Sequence, residues 1–261
     1  MNGIIEIKKE GYIILEIRNL TDELKKTIKN LLVEICHGEY ANDSKFKLFS
    51  FDETIKELVE HRLKKDKIKQ IGAVGEILLN VVIREFTDMK IASPFFNIEE
   101  RSAKKGFDII AIDSDKKLWI IESKAGEIGN FSSPTEKSCL LIKKAKMDLY
   151  TRLNDKNSQI WSNAVKSVNS SLNDSDEKKV IMDILITNGN SDSSKDKNVV
   201  LGATVFCLLD KTIEPSKIND LYKSILEMKK FSEIKLIAIQ KKTYDAVIEF
   251  LSSLVKKNEY Y

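Results

Sequence analysis

Apolar positions along the chain change period repeatedly, and each change marks an expected element. Residues 3–7 and 12–17 are rich in β-branched side chains in alternation, with Gly11 between them, which predicts two short strands and a turn. Thr21 followed by Glu23 and by Leu24, Ile28, Leu31, Leu32 and Ile35 predicts an amphipathic helix closing near Gly38. Residues 41–50 are polar and read as loop. A second helical region opens near Asp52, and Ile71, Val74, Leu78, Val82 and Phe86 predict a buried helix over 68–86, with Pro94 closing the region. Residues 107–112 and 118–123 are strongly apolar runs around Ser114-Asp115-Lys116-Lys117, the clearest hairpin in the chain. After Pro134, helices are expected over 136–153 and 158–168. A strand over 180–187 follows, between polar, low-complexity stretches at 169–179 and 188–198 that read as loops. The tail alternates strand 199–208, helix 216–229, strand 233–239 and helix 243–256. Strands and helices mix throughout without an internal repeat, so the expected fold is an α/β or α+β layering with helices on both faces of a sheet.

The length of 261 residues allows one large domain or two small ones. Hydrophobic residues at 42% and charged residues at 32% are a globular composition with enough apolar material for a sizeable core. Forty-three basic and 40 acidic side chains leave a net charge of +3, so a nucleic-acid partner has to be held by a local patch. Only five of the cations are Arg, and lysine abundance by itself carries little weight. The longest apolar run, about 199–209, is too short to span a bilayer, and the first nine residues interleave acid, base and Ile, unlike a signal peptide. Cys36, Cys139 and Cys207 are odd in number and far apart, which speaks against a disulfide framework or a zinc knuckle. With His37 and His61 alone, His-rich metal centres are excluded, and neither a P-loop nor a G-x-S-x-G elbow is present. The expectation is a cytoplasmic protein that neither hydrolyses ATP nor uses a Ser–His–Asp triad.

The chemistry concentrates in the hairpin, residues 105–124. Ile109, Ala111, Trp119 and Ile121 alternate with Ile110, Ile112, Leu118 and Ile120, so both strands are apolar on both faces and belong inside a sheet. Yet Asp108, Glu122 and Lys124 occur there, and charges in such a place must be paired, metal-bound or set at the sheet's open end. Glu122 and Lys124 are two apart and share a face. The turn centres near Asp115, midway between Asp108 and Glu122, so a symmetric hairpin sets those carboxylates opposite each other at roughly 5 Å. Two like charges that close need a cation between them, either Lys124 or a hard ion such as Mg²⁺. The tripeptide alone says little, since Glu-x-Lys begins at Glu6, Glu23, Glu122, Glu177, Glu227 and Glu233; only Glu122 follows an apolar strand bearing an Asp at the paired distance. An ordinary ion pair at a strand end remains the plain alternative.

Asp108, thirteen residues, then Glu122-Ser123-Lys124 on a hairpin, with an upstream helical glutamate, resembles the PD-(D/E)xK nuclease superfamily over roughly residues 68–150. Within it, Gly75-Glu76, Gly106-Phe107-Asp108 and Glu122-Ser123-Lys124 are similar to HamA, the nuclease-subunit family of Hachiman anti-phage defence systems. The superfamily's proline beside the first Asp is replaced by Phe107. The resemblance implies a restriction-endonuclease-like core at 66–190, an N-terminal elaboration at 1–65 and a C-terminal one at 191–261. It implies Asp108 and Glu122 as ligands for Mg²⁺ or Mn²⁺, Glu76 as a further ligand or as a contact just behind the ligands, and Lys124 to orient or help deprotonate water and to offset phosphate charge. It further implies a Mg²⁺-dependent deoxyribonuclease of low sequence specificity, an effector subunit with a partner superfamily 2 helicase or ATPase and no membrane association. The alternative is a nuclease-fold subunit without activity that serves as a protein- or nucleic-acid-binding module.

Gly75, with Gly72 a turn earlier, would let the helix approach the sheet, or would be ordinary close packing. Asp113 and Asp115 are expected in the turn for backbone reasons. Lys143, Lys144 and Lys146 could touch phosphate but read better as a solvated helix face. The basic run 62–69 could track a nucleic-acid backbone or be exposed surface. Trp119 and Trp161 are expected in the core, and His37 and His61 as structural or exposed residues.

Overall fold

The apolar runs assemble into one mixed sheet in the computed structural model, which describes residues 1–64, 66–96, 107–155, 158–191 and 193–256. Its strands are β1 (Ile4–Lys9), β2 (Tyr12–Ile17), β3 (Lys90–Ile91), β4 (Ile109–Ile112), β5 (Leu118–Glu127), β6 (Asn198–Phe206) and β7 (Ile234–Lys241). They lie in the order β1-β2-β7-β6-β5-β4-β3. β5, β6, β7 and β2 run parallel at the centre, and antiparallel hairpins close both edges. Central strands of that kind must be apolar on both faces, and β2 is buried at all six positions. Gly11, at φ +82°, makes the β1–β2 turn.

The helices are α1 (Asp22–His37), α2 (Phe51–Glu57), α3 (Lys67–Phe86), α4 (Pro134–Leu153), α5 (Ser158–Ser171), α6 (Asp176–Gly189), α7 (Pro215–Glu227) and α8 (Asp245–Lys256). Strand parity sorts them into two layers. Trp119, Ile121 and Ala125 face α1, α3 and α8, while Leu118 and Ile120 face α4 to α7 through Leu141, Ile181 and Leu221. This α/β sheet with helices on both faces has the architecture of a restriction-endonuclease-like core.

Several expectations are corrected. Residues 180–187 are helix, not strand. A short apolar run does not by itself separate a strand from a buried helix; here Ile181 and Leu185, one turn apart, are the buried positions. The Ser175 side chain caps the first turn by accepting from the Lys178 N–H. The flanking 169–179 stretch is correspondingly part helix, since α5 runs on to Ser171. Residues 41–50 contain two short 3₁₀ turns, and α2 continues as a π-helical turn, Leu58–Leu63. Two-residue β3 is too short to leave a period in the sequence.

α3 comes close to the sheet at Gly75, where a Cβ would lie 2.4 Å from the Ala125 Cβ. Gly72, by contrast, faces open space. Gly75→Ala is therefore expected to destabilise the fold by about 1–3 kcal/mol, the usual cost of overpacking, in spite of alanine's better helix propensity. Denaturant melts of Gly75→Ala, Ala125→Gly and the double variant check the contact. The double should be more stable than the summed single losses by at least about 0.5 kcal/mol, as contacting residues are coupled.

Candidate active site

The β4–β5 ladder pairs Ile109 with Ile121 and Ile112 with Leu118. One step beyond that register sets Asp108 across from Glu122, the opposition that the symmetric hairpin predicts. Asp113 holds the turn: its Oδ1 accepts from the N–H groups of Asp115 (3.1 Å) and Lys117 (2.8 Å), and its Oδ2 accepts from the Trp119 indole (2.8 Å). Lys116 takes the left-handed conformation at φ +62°. With the turn fixed in this way, register cannot slip without moving every side chain to the other face.

Asp108 is pinned by the Ser123 N–H, which donates to its Oδ2 at 3.2 Å. Glu122 and Lys124 point to the α4 side of the sheet and make an ion pair between Oε1 and Nζ at 2.7 Å. Two residues one turn apart on α4 complete the cluster. Asp148 accepts from Lys124 Nζ at 2.8 Å, and the Arg152 guanidinium pairs with Glu122 Oε2 through Nη2. Since the helix runs opposite to the strand, 124 meets 148 and 122 meets 152. Glu122 is 1% exposed, whereas Lys124 and Arg152 reach solvent with about a third of each side chain (32% and 29%).

Burial and the neighbouring charge of Asp108 push the Glu122 carboxyl up to about 7, against the downward pull of Arg152 and Lys124. Burial draws the Lys124 ammonium down, but Glu122, Asp148 and Asp108 outweigh it and its affinity for the proton is raised. The lysine is thus a firm cation, and the two facing acids repel each other enough that one resists ionisation. That is the electrostatic condition a divalent cation relieves. The donor set suits an ion that keeps most of its water, as Mg²⁺ does with one or two carboxylates. It does not form an all-protein cage: among the described residues, no group of three or more His, Cys, Asp or Glu converges as a metal site.

The fold brings Asp108, Glu122 and Lys124 together and sets Glu76 on the other layer. Glu76 follows Gly75 on α3, whose Cα faces Ala125 and Thr204, and Ala125 lies on the face of β5 opposite to Glu122 and Lys124. There its charge acts on the fully buried Cys36 thiol, which burial drives upward and Arg62 pulls back. Gly106 and Lys105 lie outside the described residues. Lys143 and Lys144 are exposed, while Lys146 is buried beside the Met228 sulfur. Of the basic run, Arg62 lies over the Phe96 ring, Lys67 pairs with Glu127 and Lys69 with Asp66, both at 2.7 Å; Lys65 is outside the described residues. Trp119 and Trp161 are core residues. His37 bonds Thr54 at 3.0 Å, and burial lowers its pKa to about 4, so it stays neutral at physiological pH; His61 lies 3.7 Å from Glu57. Arg152 and Asp148 went unnoticed in the sequence. Their only signal is an acid and a base one turn apart on the helix after the hairpin.

The sequence matches the model of the HamA family over residues 6–255. No curated protein matches it. Among the described residues, no helix is long and apolar enough to cross a membrane.

The raised Glu122 pKa has a consequence for stability without metal. Between the ordinary value of 4.5 and about 7 the folded chain keeps a proton that the unfolded chain releases, so this group's contribution to stability falls as pH rises through that window and levels off above it. Melting temperatures from pH 4 to 8 in EDTA are expected to show that fall in the wild-type-minus-Glu122→Gln difference. A difference that rises with pH would contradict the assignment.

Proposed function

The chain belongs to the HamA family, and from that membership and the hairpin cluster we propose that it is the nuclease subunit of a Hachiman-type anti-phage defence system. Its activity is divalent-ion-dependent hydrolysis of DNA phosphodiesters with little sequence specificity, in the bacterial cytoplasm, in company with a helicase or ATPase subunit. The observation that carries this reading is the juxtaposition of Asp108 and Glu122 across a rigid hairpin end, with Lys124 on the same face and open to solvent.

Asp108 and Glu122 would hold the ion. A bound Mg²⁺ or Mn²⁺ would supply Lewis acidity and lower the pKa of the water it holds. Lys124, kept protonated by three carboxylates, would donate to a non-bridging phosphate oxygen and offset the charge that grows there, while helping to orient the attacking water. Its raised pKa makes it a poor base and a good electrostatic partner. Glu76, on the α3 layer where its charge acts on Cys36, is not required as a ligand in this scheme. The helicase or ATPase subunit would contribute the ATP chemistry for which this sequence carries no P-loop.

One observation favours the rival reading of an inactive binding module: both Glu122 oxygens already carry a cation. The two readings separate on plasmid DNA incubated with Mg²⁺, with and without the helicase. Wild-type protein should cut in at least one of these conditions. Lys124→Ala and Asp108→Asn should each lose about 10²–10³-fold in rate, the scale of removing a group that stabilises developing charge, while melting cooperatively as folded proteins. Equal cleavage by Lys124→Ala and wild type would sink the proposal.

A further inference from the structure

Arg152 is the cation that no motif announces. It stands in the last turn of α4, where positive charge complements the helix dipole, and that role alone would leave it on the surface. Instead its guanidinium reaches the sheet and takes Oε2 of a carboxylate that is 1% exposed. Lys124 holds the other oxygen at 2.7 Å. A divalent ion shared between Asp108 and Glu122 would take lone pairs on those same oxygens and so compete with the cations that hold them.

The two are placed differently. Lys124 stands on the same strand two residues away and is tied outward to Asp148 at 2.8 Å. Arg152 comes from the facing helix, so it can shift without moving the strand that carries Glu122. Charge balance points the same way. Among the described residues, Asp108, Glu122 and Asp148 against Lys124 and Arg152 leave a single negative charge. A divalent ion turns it into a single positive charge, and one phosphodiester restores neutrality. A guanidinium released at that moment has the planar fork suited to phosphate oxygens.

We propose that Arg152 is a displaceable counter-ion of Glu122: it holds the carboxylate while the metal is absent, yields it to the metal, and then binds a phosphate of the substrate strand. The inference rests on the nuclease reading, because it takes the metal and the phosphate from there. Asp148 in turn keeps Lys124 beside Glu122 while Arg152 moves.

The test is a calorimetric Mn²⁺ titration at pH 8 without DNA, on wild type, Arg152→Gln, Arg152→Lys and Asp108→Asn, each checked by its melting curve. Arg152→Gln should bind Mn²⁺ about fivefold more tightly or better, the lower end of coupling between ligands that compete through one group. Arg152→Lys, which keeps the charge on a single-headed donor, should fall between. With Ca²⁺ replacing Mn²⁺, Arg152→Gln should bind duplex DNA more weakly than wild type. Unchanged or weaker Mn²⁺ binding by Arg152→Gln overturns the competition, and tighter Mn²⁺ binding without weaker DNA binding overturns the phosphate role. If Asp108→Asn abolishes Mn²⁺ binding while Arg152→Gln leaves it unchanged, the nuclease reading stands and this inference alone falls. If Asp108→Asn leaves wild-type-like Mn²⁺ binding, both fall.

Discussion

A carboxylate buried in the middle of a sheet, with a second carboxylate across the hairpin from it, is costly to form, and much of the surrounding structure answers to it. Removing an ion from water costs several kcal/mol even after relaxation, and a like charge beside it adds to that. Glu122 meets the cost with Lys124 from its own strand and Arg152 from the facing helix, and even so its carboxyl is pushed up to about 7. α4 is therefore more than a lid over apolar residues. It delivers one turn of charge to the one place on β5 where charge is needed, and Leu141, Ala145 and Leu149 bury the same helix against the sheet to hold it there.

Strand parity distributes the remaining labour. Even-numbered positions of β5 near the site look toward α4 and carry the charges, whereas Ser123 and Ala125 look toward α3, where Gly75 and Gly202 make room for close contact. The tightness at Gly75 on one face and the charge network on the other are thus properties of neighbouring residues in one strand. Glu76 belongs to the tight face. A helical glutamate upstream of such a hairpin looks like a third ligand in one dimension; the fold sets its helix on the layer opposite to the one that Glu122 and Lys124 face.

The hairpin was legible because its information is local. Two apolar runs, a polar turn and the spacing of Asp108 and Glu122 fix a register by arithmetic alone, and Asp113 supplies the hydrogen bonds that make the arithmetic hold. The long helices were legible through their period. Two kinds of feature were not. The order of the sheet depends on parallel pairings such as Ile13 with Ile237, which join the two ends of the chain and leave no trace in any local window. The helix at residues 176–189 has its apolar residues in a run too short to reveal its period, and only its serine cap and acidic first turn betray it. Arg152 belongs with the first kind, since it lies thirty residues from its partner.

Other buried charges show what sets the hairpin cluster apart. Glu16 is 6% exposed and meets one cation, Arg18, on its own strand's continuation at 2.7 Å. Lys197 is 1% exposed and is satisfied by Asp196 at 3.0 Å and by the Trp161 ring. Each is a single charge matched by a neighbour in sequence, the economical way to bury an ion if stability is the only demand. At Glu122 the chain gathers three acids and two bases from a hairpin and a helix, places two of the acids face to face, and leaves the bases partly in water. Replacing such a group by apolar residues of the same volume is often neutral or favourable for folding, so a cluster of this size is weak evidence of a purely stabilising role. Under the proposed function, that arrangement, open to solvent on one side, is where a further cation would be received.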